Sequence, residues 1–183
     1  LMVTTIPASL VINGLELSEA HLICVWPLDR VDVVVHPQSV AHFMGQFIVG
    51  SGIAQASPPD MRLPIALGMG WPDRVPKAAF PCDWTKATSW TFEPLDTVAF
   101  PAVDLAKDAA KQGSTFPAVF NAANEEAVMA FHAGRIRFTE IVDTIDAVLS
   151  EHSGSSGLTL ESVLDAENWA RTRAHERLAV SSL

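Results

Sequence analysis

The chain has 183 residues, 49% of them hydrophobic and 18% charged, with a formal net charge of −9. That length suffices for one domain, or a small domain with a helical appendage, and the composition predicts a buried core rather than disorder. The acidic balance argues against nucleic acid and anionic membrane as partners. No apolar run reaches the roughly 18 residues of a membrane span, and LMVTTIPASL lacks the charged start of a signal peptide, so a cytoplasmic location is expected.

Residues 1–9 read as an irregular lead-in containing Pro7, followed by a helix over Asn13–Cys24 with Leu15, Leu22 and Ile23 available to a core. Trp26-Pro27 ends it. The β-branched run Val31–Val35 predicts a buried strand, closed by His36-Pro37. Phe43–Val49, a Gly50-Ser51-Gly52 turn and Ile53–Ser57 form a hairpin signal. Pro58-Pro59 stop the return strand, and Asp60 is placed to cap a helix to about Gly70. A loop rich in proline and charge follows from Pro72 to Lys86. Ser89–Glu93 alternates like a strand that Pro94 ends.

Beyond this point the pattern turns helical. Phe100–Gln112 predicts a helix closed by Gly113. Asn121 or Asn124 is a candidate cap for a helix ending at Gly134. Thr139 is placed to cap another, with Ile141, Ile145, Val148 and Leu149 on one face. Ser153–Gly157 reads as a flexible connection. Thr159 then precedes a last helix with Val163, Ala166, Ala170, Ala174 and Leu178 in register. The expected fold class is an α/β (α+β) layer with a hairpin-containing sheet, followed by a C-terminal helical bundle. The expected division is residues 1–95 and 96–183.

The phrases VDVVVHPQS, IAQASPPDMRLPIALGMGWPDR, CDWTKATSW and FNAANEEAV resemble the 1-deoxy-D-xylulose 5-phosphate reductoisomerase family, and the resemblance runs from about Ala8 to Ala179. It implies descent from an NADPH- and divalent-metal-dependent rearranging reductase of the non-mevalonate isoprenoid pathway, corresponding here to the second half of that enzyme. The family's Asn-Lys-Gly-Leu-Glu segment, whose Asn and Lys hold substrate phosphate and whose Glu ligates metal, reads Ile12-Asn13-Gly14-Leu15-Glu16. Glu16 matches the ligand. Ile12 and Asn13 replace a cation and an amide, and an isoleucine supplies no charge-assisted donor to a phosphate.

The family's other metal ligands form an Asp-Ser-Glu triplet that does not occur here, and one carboxylate is a weak divalent site. Glu16 therefore reads more readily as a solvated helix carboxylate than as a ligand. No G-x-G-x-x-G follows a strand, so no dinucleotide site is expected. Cys24 and Cys82 form neither a metal pair nor a disulfide framework, and no G-x-S-x-G is present. The motif His36-Pro37-Gln38-Ser39 borders the family's active site, and it equally suits a hydrogen-bonded turn. Pro59 and Met61 match positions near the family's nicotinamide, while Asp60 reads first as a helix cap.

These observations lead to an expected enzyme without cofactor or metal: an isomerase, cyclase or lyase of specialised metabolism, repurposed from the reductoisomerase. Its substrate is expected to be a small, less polar molecule. Glu16 and His36 are the expected acid–base groups, in a cleft formed with Ile12, Asn13, Ser39, Pro59, Asp60 and Met61. The alternatives are an inactive reductoisomerase fragment and a non-catalytic dimeric binding module. The resemblance also implies a homodimer through the hairpin.

Overall fold

Small residues decide how closely the first helix packs. In the computed structural model, which describes residue 5 and residues 8–180, helix α1 (Val11–Cys24) lies against α3 (Ala102–Gln112). A Cβ on Gly14 would stand 2.5 Å from the Cβ of Ala106 and 3.3 Å from the carbonyl oxygen of Ala102. Glycine is what that approach requires. Val11 and Leu17 are buried on the same side of α1, whereas Leu22 and Ile23, expected in the core, are 66% and 77% exposed. The lead-in expected over residues 1–9 falls mostly outside the described residues.

Contacts divide the chain into two units, one containing the described residues of Leu1–Val33 and Asp96–Leu183, the other Val34–Leu95. This grouping differs from the expected division at residue 95, because α1 packs with the later helices.

The helical unit continues with α4 (Phe116–His132), α5 (Glu140–Glu151) and α6 (Leu160–Val180). Its core centres on α4, where Val119, Phe120, Ala123, Ala127 and Val128 are essentially inaccessible. Phe120, Ile141, Ile145 and Leu178 are its largest fully buried side chains. The face expected on α5 is the buried one, Ile141, Ile145, Val148 and Leu149, and Ala166, Ala170, Ala174 and Leu178 of α6 are buried in register.

Helix ends follow local chemistry. Thr159 and Ser162 exchange hydroxyl and amide bonds of 3.1 and 2.9 Å, a reciprocal cap for α6. At the end of α4, Arg135 N–H donates to Ala130 and Gly134 N–H to Phe131, with Gly134 at φ 71°: a Schellman motif. The start of α4 overturns the expected caps. The helix begins at Phe116, with Pro117 in its first turn, so Asn121 and Asn124 lie within it. Thr139 precedes α5 without a capping side-chain bond, and Glu140 reaches back to the amide of Arg137 instead. The 153–157 connection is tied down through Ser114, whose hydroxyl bonds both the amide and the carbonyl of Ser155.

In the second unit, β1 (Val34–Val35) pairs antiparallel with β4 (Glu93–Pro94), and β2 (Ala41–Gln46) pairs with β3 (Gly52–Ala56). Helix α2 (Arg62–Gly70) follows the hairpin. The strand expected over Val31–Val35 shrinks to two residues, both exposed, and the one expected over Ser89–Glu93 shrinks to Glu93–Pro94, with Pro94 its last residue. No residue of 34–95 is buried. Two-stranded ladders cannot cover their own faces, so a β-branched run here does not imply burial. Among the described residues, no helix is long and apolar enough to cross a membrane.

Two tests follow from the helical unit. Gly14→Ala gains helix propensity of about 1 kcal/mol, yet its methyl meets Ala106 where neither group can rotate away. A net loss of roughly 1–3 kcal/mol is expected in chemical denaturation, and a neutral or stabilised variant would refute the close contact.

The second test concerns His152, whose Nε2 lies 2.8 Å from Oγ1 of buried Thr115 and whose ring sits against Phe116 and Trp169. Burial lowers its pKa, so the neutral form is favoured in the fold. Its contribution to stability is complete above the ordinary histidine value of about 6.5 and declines as pH falls through the lower folded value. Glu151 and Asp165 line the same cleft. Glu151, held by Arg177 and Arg173, titrates below the ordinary glutamate range. Melting midpoints should therefore drop from about pH 6.5 downwards, and His152→Gln should flatten the upper part of that limb. An unchanged limb would exclude His152 as its source.

Candidate functional site

The residues singled out in the sequence fall into two sets, one in each unit, and each set is described within its own unit. On α1, Ile12, Asn13 and Glu16 occupy neighbouring positions three and four residues apart. Ile12 and Glu16 are exposed, and Asn13 Nδ2 donates to Glu16 Oε2 at 3.3 Å. This patch presents one carboxylate and an apolar side chain. Among the described residues, no group of His, Cys, Asp and Glu side chains comes together as a metal site. A single carboxylate does not fit a divalent ion, which takes several oxygens.

The second set gathers around the open end of the β2–β3 hairpin. The amide of Ser57 donates to the carbonyl of Val40, one rung beyond Ala41–Ala56, so Ser39 and the Pro59 segment leave the hairpin at the same end. His42 Nε2 lies 3.0 Å from the Ser57 carbonyl at this end. His36–Ser39 is a turn in which the Ser39 amide donates to the His36 carbonyl, with Ser39 at φ 50°.

Asp60 receives the amide of Arg62 at 2.9 Å and the Arg62 Nε at 2.9 Å on each carboxylate oxygen. The side-chain bond to Arg62 is the larger influence, and with the amide it holds the Asp60 pKa down to about 2. The assigned start of α2 at Arg62 has Met61 before it with no side-chain cap, so Asp60 caps from one residue further back. Asp60 is thus a committed anion rather than a proton donor. Arg62 also stands over the Phe80 ring at 5.8 Å, while Met61 and Pro59 are exposed.

His36 is the most constrained side chain of the set. The β1–β4 register, continued by one residue, sets His36 opposite Phe92, and their rings stack at 4.4 Å with 13° between planes. Nδ1 lies 2.8 Å from the Thr91 carbonyl. A carbonyl only accepts, so Nδ1 carries a proton. Nε2 is buried and has no hydrogen-bond partner. Such an unmet acceptor costs about 1–3 kcal/mol.

Several partnerships leave little trace in the sequence. Gln38 and Thr91 are held side by side, and the only available signal was that His36-Pro37 and the Ser89–Glu93 segment each adjoin a strand. Glu126 is buried on α4, with Arg171 Nη1 at 3.1 Å and His175 on its other oxygen. The i, i+4 spacing of Arg171 and His175 was its trace in the sequence. Asn124 is buried with an unpaired Oδ1. A cleft of about 500 Å³ opens in the helical unit beside His152 and Trp169, and its lining includes none of the residues expected at the site. Hydroxyls of Thr115, Ser155 and Ser162 in its wall are already bonded within the protein.

Residues 56–173 match the profile described as DXP reductoisomerase C-terminal domain. The chain is 83% identical over 183 residues to the 1-deoxy-D-xylulose 5-phosphate reductoisomerase of Arthrobacter sp. (strain FB24), covering all of this chain and 46% of that protein. To the enzyme of the same name from Kitasatospora griseola it is 61% identical over 182 residues, covering 97% of this chain and 47% of the relative. The fold superposes on the Zymomonas mobilis reductoisomerase, solved in complex with NADPH, with a TM-score of 0.90 and 38% identity, over 97% of this chain and 47% of that one. A DOX-P reductoisomerase solved with fosmidomycin and magnesium gives a TM-score of 0.85 at 31% identity, over 98% of this chain and 47% of that one. The chain spans about half the length of the curated relatives it matches. By profile, by sequence identity and by fold, the chain belongs to the 1-deoxy-D-xylulose 5-phosphate reductoisomerase family.

Proposed function

We propose that the chain does the work of the second half of a 1-deoxy-D-xylulose 5-phosphate reductoisomerase, contributing substrate-side residues and the C-terminal helical bundle. The NADPH-binding half of such an enzyme would come from the part of its relatives that this chain does not span. The observation that carries this reading is the 83% identity extending over all 183 residues to a protein of that name. The unit 34–95 supports it physically. It buries no residue and leaves Trp71, Phe80 and Trp84 exposed, as a layer does when its covering surface belongs to another part of the protein.

In this reading Glu16 offers one carboxylate toward a shared metal. His36 offers the unprotonated Nε2 as a hydrogen-bond acceptor for a substrate hydroxyl. Ser39, Pro59, Asp60 and Met61 shape the surface around the hairpin end. The reduction and the metal chemistry belong to groups this chain does not hold by itself.

One departure favours a second reading. Ile12-Asn13 stands where the family's Asn-Lys phosphate contacts are expected, which suits a less polar substrate and a cofactor-independent isomerisation, cyclisation or elimination. Coexpression with the half of the Arthrobacter reductoisomerase that this chain does not span separates the two. The first reading expects consumption of NADPH with 1-deoxy-D-xylulose 5-phosphate only when both parts are present. It further expects Ile12→Asn with Asn13→Lys to lower KM at least about tenfold, since hydrogen bonds to a charged group contribute roughly 1.5–3 kcal/mol. Failure of the pair to turn over, together with NADPH-independent product formation by the chain alone, would favour the second.

A homodimer through the β2–β3 hairpin is also proposed, supported by the resemblance and by Phe43 and Ile53, which are 60% and 62% exposed. Light scattering at tens of micromolar, a working range for specific dimers, is expected to give twice the chain mass. Phe43→Asp with Ile53→Asp should return it to the monomer. A wild-type monomer under the same conditions would rule the dimer out.

A further inference from the structure

We propose that Gln38 is the positioning residue for His36, fixing which ring nitrogen carries the proton. The inference rests on the reading of His36 as an acceptor for a substrate hydroxyl, and it names the residue that puts the ring in that state. Gln38 does not touch the imidazole through any hydrogen bond. It acts through Thr91. Its Oε1 accepts the Thr91 amide at 3.1 Å, and its Nε2 donates to the Thr91 hydroxyl at 3.1 Å. Both ends of one primary amide are thereby spent on a single residue more than fifty positions away in sequence.

The consequence falls on the Thr91 carbonyl. Thr91 is clamped at its N–H and at its side chain, which fixes its Cα, and from there its C=O, in the following peptide, receives Nδ1–H of His36 at 2.8 Å. While that bond holds, the neutral ring has its proton on Nδ1 and its lone pair on Nε2. Stacking on Phe92 at 4.4 Å and an edge contact to Trp90 at 6.2 Å hold the ring plane, so a flip that would exchange the nitrogens is blocked on both counts. The turn from His36 to Ser39 sets the spacing: the Ser39 amide on the His36 carbonyl folds Gln38 back over the strand toward Thr91.

Nothing in the described residues uses the resulting lone pair. Nε2 is buried and unpartnered. The aromatic neighbour on its edge, Trp90, rests at 5.8 Å on Trp84, which is exposed. A surface ring pair can shift without opening a core. The group that satisfies Nε2 is a hydrogen-bond donor, and in this reading it is a hydroxyl of a polyol phosphate substrate. In the opposite tautomer the same atom would carry a hydrogen and donate to the hydroxyl oxygen, so it could no longer accept that hydroxyl's proton.

The test reads the tautomer directly and needs no turnover. Long-range proton–nitrogen correlation spectra of the 183-residue chain, labelled at histidine, are expected to show His36 with a protonated Nδ1 and a bare Nε2 at neutral pH. Gln38→Ala should convert this to a mixed or Nε2-protonated signature. Gln38→Glu, which still accepts from the Thr91 amide and hydroxyl, should restore the wild-type pattern. Thr91→Val, which keeps the amide and the carbonyl, should keep it as well. Hairpin amide shifts from Ala41 to Ala56 serve as the control for folding. An Nε2-protonated ring in the wild type, or an unchanged tautomer in a folded Gln38→Ala variant, would overturn the proposal. In the coexpressed two-part enzyme, Gln38→Ala should lower kcat about tenfold or more with Gln38→Glu partly restoring it. Loss of activity in every variant with the expected tautomer series intact would instead count against the reductoisomerase reading alone.

Discussion

The unit formed by residues 34–95 is closed by a ladder of two rungs, Val34 with Pro94 and Val35 with Glu93. The setting of His36 depends on this short pairing, because it is what returns the chain to its starting point after the hairpin, α2 and a long loop. The register fixes Phe92 as the neighbour of His36 and puts Thr91 within reach of Gln38. Two rungs supply few backbone hydrogen bonds, and Pro94 donates none. The junction is therefore held as much by side chains as by the ladder: an aromatic stack, a carbonyl on Nδ1, and both ends of the Gln38 amide. Chemistry and closure are built from the same atoms.

The helical unit solves a different problem. Its packing relies on alanine and glycine at the α1–α3 contact and along α4 and α6, which brings helix axes close and leaves little room for error. Into that interior it admits one carboxylate, Glu126, with Arg171 and His175 as partners. A buried pair of this kind adds little net stability, since the Coulombic gain is set against desolvation, but removing one partner leaves a charge stranded. It pins α6 to α4 in one register, where a stripe of alanines would tolerate several. Glu151, with Arg173 and Arg177, repeats the arrangement at the surface between α5 and α6.

How much of this could be read in the sequence depended on whether the signal was local. The buried faces of α5 and α6 followed from spacing of three and four residues, and the structure has them. Gly113 and Gly134 marked helix ends because their positive φ suits no other residue as well. The start of α4 was misread because two asparagines looked like caps, while Pro117 and Thr115 set the boundary upstream. The strand at Val31–Val35 was read as buried because β-branched runs usually are, yet no residue of that unit has enough cover. At the site, Glu16 and His36 were recognisable from motif. Gln38 stood in the same motif, but its partnership with Thr91 spans 53 residues and leaves no periodicity behind.

A unit without an interior also has a thermodynamic signature. The heat capacity released on unfolding tracks apolar surface newly exposed to water. Residues 34–95 already expose Ile48, Val49, Met69 and Trp71 in the folded chain, so they have little left to reveal. Calorimetry of this chain would therefore record the melting of its helices while remaining nearly blind to the loss of the segment that carries His36. The part of the molecule nearest the proposed chemistry is the part whose order a melting temperature does not report.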